Sequence, residues 1–204
     1  MSDALDYHRA TNVAAGGTDE DEVRTIETKP SVFKDYGAAE RLPLDTALAG
    51  PVLQDGAGIV RTTDRRDYGG GTIHWRAYSS AGALFPVEAY VASADGLYSF
   101  DALTPGLVRI GGDVRERLGV SAEEVVVLTG IHARTGWKYM ERGYRHVWWD
   151  AGTMLANLLA LAAADGLEPR LYTASVDADV NDALDLDGEH EYALALLALG
   201  RKEA

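Results

Sequence analysis

From Ala151 to Asp165 apolar residues recur at three- and four-residue steps (Met154, Leu155, Leu158, Leu159, Leu161, Ala162), with alanine filling most of the remainder. That spacing predicts an α-helix over 151–165, apolar on nearly every side and therefore buried. Asp150 is placed to cap its first N–H groups, Gly166 to end it in the left-handed conformation, and Pro169 to forbid continuation. A helix of that length spans about 22 Å, short of a bilayer. The pattern is that of a core helix.

Shorter patterns flank it. Val87–Ser93 and Leu97–Phe100 have strand content and are joined by the turn signal Ala-Asp-Gly, which predicts a hairpin. Leu107–Ile110 extends the sheet, Arg115–Leu118 suggests a short helix, and the continuous run EVVVLTGI at 124–131 predicts a buried central strand. Residues 136–149 are expected to be helical and to lead into the core helix. Beyond it, Arg170–Ser175 reads as a strand and Asp177 caps a brief helix ending at Leu184. The stretch YALALLAL at 192–199 fits helix or strand by pattern alone. Residues 31–60 predict one or two short helices interrupted by Pro51, Gly56 and Gly58, and residues 61–74 a loop with a mobile three-glycine tip. Residues 1–30 are polar and acidic, which predicts an extended or partly disordered arm before a single domain at 31–204. The resulting order of helices and a largely antiparallel central sheet is α+β.

The net charge of −13 and the lack of a basic stripe argue against a nucleic-acid partner. Cysteine is absent, which removes disulfides, thiolate catalysis and thiolate metal sites. The first residues, MSDALDYHRA, hold no apolar signal region, so a cytoplasmic location is the expectation, with no membrane partner.

His8, His74, His132, His146 and His190 form no HxxxH or HxH pair, so no metal site is expected. Ser79 and Ser80 lie outside any G-x-S-x-G elbow, and the glycines at 69–71 lack the Lys-Ser/Thr of a P-loop. Three features carry chemistry. Ser79-Ser80-Ala81-Gly82 is a small-residue run before a strand, where backbone can approach a flat ligand closely; the alternative is an ordinary strand-entry loop. Lys138-Tyr139 offers two adjacent proton donors; the alternative is a solvated helix face with Glu141, Arg142 and Arg145. Asn157 is an amide inside an apolar helix and needs partners, which a ligand or a neighbouring element can supply.

Taken as an ordered set, RAYSSAGALFPVEAYV, GLYSF, WKYMERGYRHVWWDAGTMLANLLALAAADGL and the closing E-x-ALALLALG resemble the nitroreductase superfamily. More narrowly they resemble its SagB-type branch, which includes dehydrogenases that oxidise azolines in thiazole/oxazole-modified peptides. The lead-in segments YHRAT and VFKDYGAAERLPL look similar to that branch as well. The resemblance implies an α+β fold with 192–199 as a strand, a homodimer, and FMN in clefts at the subunit interface. It implies that Ser79, Ser80, Ala81 and Gly82 lie against the flavin, with Ser79 in place of the usual Pro, and that Asn157 is the family's central-helix Asn. It further implies Lys138 and Tyr139 as the catalytic pair, Arg201 or Lys202 as a phosphate contact, a small-molecule or modified-peptide substrate, and NAD(P)H as an electron donor.

One departure stands against these matches. Members usually carry an Arg-Arg-Ser-x-Arg segment that grips the FMN phosphate, and here AERLPLDTALAGPVLQDGAGIV runs past its place without it. Each charge-assisted hydrogen bond to a phosphate contributes about 1.5–3 kcal/mol, so its absence weakens binding by that amount. Arg61, Arg65, Arg66 and Arg76 are the substitutes available in the sequence. A second reading follows, that of a degenerate member acting as a non-catalytic binding or scaffold subunit.

Overall fold

Among the described residues, seven strands form one sheet in which every pairing is antiparallel. The computed structural model describes residues 2–11, 29–64, 71–175 and 177–202. In chain order the elements are α1 (Ser2–Ala10), β1 (Arg41–Leu42), α2 (Ala49–Ala57), β2 (Ile59–Asp64), β3 (Thr72–Arg76), β4 (Val87–Ser93), β5 (Gly96–Asp101), β6 (Gly106–Gly111), β7 (Glu124–Gly130), α3 (His132–Tyr139), α4 (Gly143–Ala164), β8 (Arg170–Tyr172), α5 (Asp177–Leu184) and β9 (Tyr192–Leu199). The sheet order is β1-β6-β5-β4-β7-β9-β8, and β2 with β3 makes a separate hairpin. The α+β expectation holds, as do the hairpin expected over Val87–Phe100, which runs to Asp101, the strand at 192–199 and the helix from Asp177.

Both faces of this sheet are covered, and that explains the continuous apolar runs. On β7, Val126 and Leu128 enter the core beneath α2 and α4, while Val125 and Val127 enter a second core formed with α5 and residues 114–120. Strands β4 and β9 divide their side chains in the same way. A strand buried on both sides has no solvent face to mark with polar residues.

Helix α4 corrects the expected boundary. It begins at Gly143, seven residues before Asp150, so Asp150 is a buried mid-helix residue and no N-cap. Gly143 allows the early start, because it lets α4 cross α3 with backbones touching: a Cβ there would stand 2.6 Å from the Gly136 nitrogen. Burial is one-sided. Val147, Ala151, Met154, Leu158 and Ala162 face the sheet, whereas Gly152, Ala156 and Ala160 are exposed in the single chain. The length argument against a membrane span also falls, since the helical run His132–Ala164 is long and apolar enough to cross one. Its packed inner side is nevertheless that of a core helix. The C-terminal end is as expected: Gly166 has φ +79°, and Leu167 N–H donates to Ala162 O at 2.9 Å while Gly166 N–H donates to Ala163 O at 3.2 Å.

Three further expectations change. Residues 61–64 and 72–74 are strand, held by cross-strand contacts such as Trp75 Nε1–H to Thr63 Oγ1 at 2.8 Å; the expected mobile tip falls mostly outside the described residues. Residues 115–118 make a single turn that Gly119 ends at φ +67°. Within the expected extended arm, Ser2–Ala10 is helical: Tyr7 Oη–H donates to Glu141 O at 2.6 Å, and Arg142 donates to Thr11 O at 2.5 Å. Arg142 and Arg145 thereby satisfy carbonyls at the end of α1.

Gly143→Ala is expected to destabilise the chain by about 1–3 kcal/mol, because only backbone could move to relieve the overlap. Thermal denaturation beside Gly112→Ala, where nothing lies within 4 Å of the added Cβ, checks this.

Candidate active site

The segment from Ser79 to Phe85 enters β4 through a tight and strained path. Gly82 has φ +64°, and two residues with side chains, Ala83 at φ +53° and Phe85 at φ +43°, share the left-handed region. Such residues persist only where surrounding contacts hold them. Here Phe85 N–H donates to Ser80 Oγ at 2.8 Å, and Phe85 O accepts from Arg134 at 2.9 Å. The Phe85 ring is buried edge-on against Tyr78, with centroids 5.5 Å apart.

Helix α3 brings the predicted pair to this loop. A Cβ on Gly82 would lie 3.0 Å from Tyr139 Oη and 3.4 Å from Lys138 Nζ, so both side-chain tips converge on that glycine. The chain then turns sharply at Met140, φ +51° and ψ −137°, which separates α3 from α4. Tyr139 is braced by His146, ring centroids 4.3 Å apart. Burial first, and then the charge of Arg142, push the His146 imidazole below its usual value.

Helix α4 supplies the floor through a polar stripe at one-turn and two-turn spacing. Asp150 Oδ1 accepts from Ala81 N–H at 3.4 Å, Thr153 Oγ1–H donates to Ser79 O at 3.0 Å, and Asn157 Nδ2 donates to Gly56 O at 3.3 Å and Ala77 O at 3.1 Å. Asn157 thus ties α2 to the strand leading into the loop. Sequence reasoning missed Asp150 and Thr153 as parts of the site. The signal was present in the steps 146, 150, 153 and 157, which share one helical face. Burial raises the Asp150 carboxyl to about 6, against partial opposition from hydrogen bonds with Ser80 and Ala81.

Arg201 does not join the others. It pairs with Glu123 at 2.5 Å beyond the end of β9, where β7 begins. The β4–β7 register puts that end beside Ala92 and the loop end beside Val87, roughly 17 Å apart along the strand. Of the substitute cations, Arg76 is buried against the Phe33 and Phe85 rings, Arg61 lies over Trp75, and Arg65 and Arg66 fall outside the described residues. The small residues, exposed backbone and paired donors around Gly82 fit the flat ring of FMN. The placed arginines named here do not assemble a grip for its phosphate within one chain.

Gly82→Ala is expected to cost about 1–2 kcal/mol, since alanine resists this φ, with a further share from contact with Tyr139 Oη. Chemical denaturation of Gly82→Ala, Tyr139→Phe and the double variant checks it. Removal of the hydroxyl should recover the contact share and leave the backbone share.

The model of the nitroreductase family matches residues 57–201. A protein of Methanocaldococcus jannaschii, provisionally named a nitroreductase, is 28% identical over 144 residues, 63% of this chain and 71% of its own. The solved structure of a provisionally named nitroreductase from Anabaena variabilis superposes with TM-score 0.81 at 27% identity, covering 96% of this chain. This chain spans only 45% of that protein's length. The E. coli microcin synthetase McbBCD complex with truncated pro-MccB17 bound has the same fold, with TM-score 0.65 at 18% identity over 100% of this chain and 93% of the matched one. With the family model covering most of its length and the sheet and helices arranged as described, the chain belongs to the nitroreductase family.

Proposed function

We propose that the chain is an FMN-dependent oxidoreductase with the flavin ring laid along Ser79–Gly82. The observation that carries this reading is the convergence of Tyr139 Oη and Lys138 Nζ on Gly82. When bound, FMN supplies hydride transfer through N5. Ser79–Gly82 would meet the ring with backbone, Asn157 would hold the loop's approach through Ala77 O, and Tyr139 and Lys138 would hold or deliver protons beside Gly82. Arg201 is not assigned a phosphate contact within its own chain, given its pairing with Glu123.

The SagB-type assignment, with a modified peptide or small molecule as substrate and NAD(P)H as donor, is the finer part of this proposal. It is supported by the Lys138-Tyr139 pair and by the fold shared with a chain of the microcin synthetase complex with truncated pro-MccB17 bound. A homodimer is proposed on the outer face of α4, where Gly152, Ala156 and Ala160 are exposed beside Trp148 and Trp149. Cytoplasmic location completes the proposal. The second reading, a non-catalytic binding subunit, draws support from the unassembled phosphate grip.

Visible absorbance of the purified protein before and after incubation with FMN, with light scattering for mass, tests these readings. The expected outcome is a dimer taking up about one FMN per chain. Lys138→Ala and Tyr139→Phe should keep the flavin and lower turnover about 100-fold or more. A colourless protein that takes up no FMN would sink the oxidoreductase and leave the binding subunit.

A further inference from the structure

Asp150 has no role in the reading above, yet it is at odds with its surroundings. It is 4% exposed in the middle of an apolar helix, and its Oδ2 is buried with no hydrogen-bond partner. Its other oxygen meets the Ala81 amide, and the Ser80 hydroxyl supports the carboxyl. Ser80 in turn accepts from Phe85 N–H through Oγ, and its carbonyl accepts from Ala83 N–H at 3.1 Å. One carboxyl on α4 therefore meets Ala81 and Ser80 at the start of a strained loop, and Ser80 in turn holds Ala83 and Phe85. Arg134, paired with Glu88 at 2.6 Å, holds the loop's far end from α3.

We propose that Asp150 is a positioning residue, a latch on α4 that sets how firmly the Ser80–Phe85 loop is seated against Lys138 and Tyr139. The proposal deepens the oxidoreductase reading and rests on it for its catalytic meaning, although the latch itself exists without a cofactor. The groups around Asp150 are Tyr78, which feels its charge from below the loop, Arg76 next to Tyr78, Lys138 and Tyr139 across Gly82, and His146 one turn earlier on α4.

The direction of the pH effect follows from linkage. A closed loop keeps Asp150 dry and raises its carboxyl to about 6 from 3.8. An opened loop lets water reach it and returns it toward the ordinary value. The closed state therefore binds the proton more tightly. Closure is firmest with Asp150 protonated and weakens as pH rises through the interval between those values. Above it the loop opens more readily, by up to about 100-fold for a shift of this size.

Hydrogen exchange of the cofactor-free protein, followed by mass spectrometry on peptides covering 80–85, reads this without flavin or substrate. Loss of the flavin reading would leave the result untouched, and the converse also holds. After correction for intrinsic rates, opening of the Ala81, Ala83 and Phe85 amides should increase about 10- to 100-fold from about pH 4 to about pH 7, while β7 peptides stay constant. Asp150→Asn, neutral at every pH, should hold the loop near its low-pH protection throughout. Wild-type exchange with no such rise, or an Asp150→Asn loop with the wild-type pH profile, would overturn the proposal. If Asp150→Asn does not fold, the wild-type profile decides alone.

Discussion

Helix α4 has to satisfy two surfaces at once, and the rest of the molecule is arranged around that requirement. One stripe, from Val147 through Met154 and Leu158 to Ala162, packs on the sheet with α2 and supplies apolar burial. A second stripe, Asp150, Thr153 and Asn157, meets backbone groups of the loop segments that enter β4 and leave α2. A helix rotated to improve one stripe would sacrifice the other. The close crossing at Gly136 and Gly143 fixes the rotation, because bare backbone against bare backbone leaves no freedom to slide.

That fixed helix allows an unfavourable loop to exist. Left-handed backbone at Ala83 and Phe85 costs on the order of 1–3 kcal/mol at each position. The cost is offset locally by hydrogen bonds that Ser80 and Asp150 accept from Phe85 N–H and Ala81 N–H, by the bond Arg134 donates to Phe85 O, and by burial of the Phe85 ring. Strain of this kind persists only because these contacts over-determine the loop.

The opposite face of the sheet is tied down by a polar network. Glu191 accepts from Tyr90 and Thr129, each at 2.6 Å, and pairs with Lys34 at 2.5 Å. Tyr36 joins through Ser99. Burial first, and then the charge of Glu191, raise the Tyr90 hydroxyl, so it stays protonated and able to donate. Lys34 and Tyr36 thereby fasten the segment before β1 across the strands. Arg134 reaches the same segment at Ser31 O, 3.0 Å away, and connects it to the loop at Phe85.

Local pattern was enough for much of the architecture. The hairpin at 87–101, the strand at 124–130, the helix at 177–184 and the glycine stop at 166 are short-range matters of period and turn chemistry. Lys138, Tyr139, the Ser79–Gly82 run and Asn157 were also visible as unusual residues in their settings. The start of α4 was not, because Asp150 is a good cap by composition and the deciding fact was a glycine crossing with α3. Nor could sequence spacing show that Arg201 sits at the far end of β9, or that Ser79–Gly82, Lys138 and Asp150 meet at one point. Lys138 and Asp150 lie about 56–71 positions along the chain from the loop, and only the antiparallel register and the packing of α3 and α4 bring them to it. The sequence marked several of the helices and strands and the residues unusual for their settings, since those depend on neighbours in the chain. The tertiary structure alone decided which of them meet, because distance in space is set by packing rather than by order.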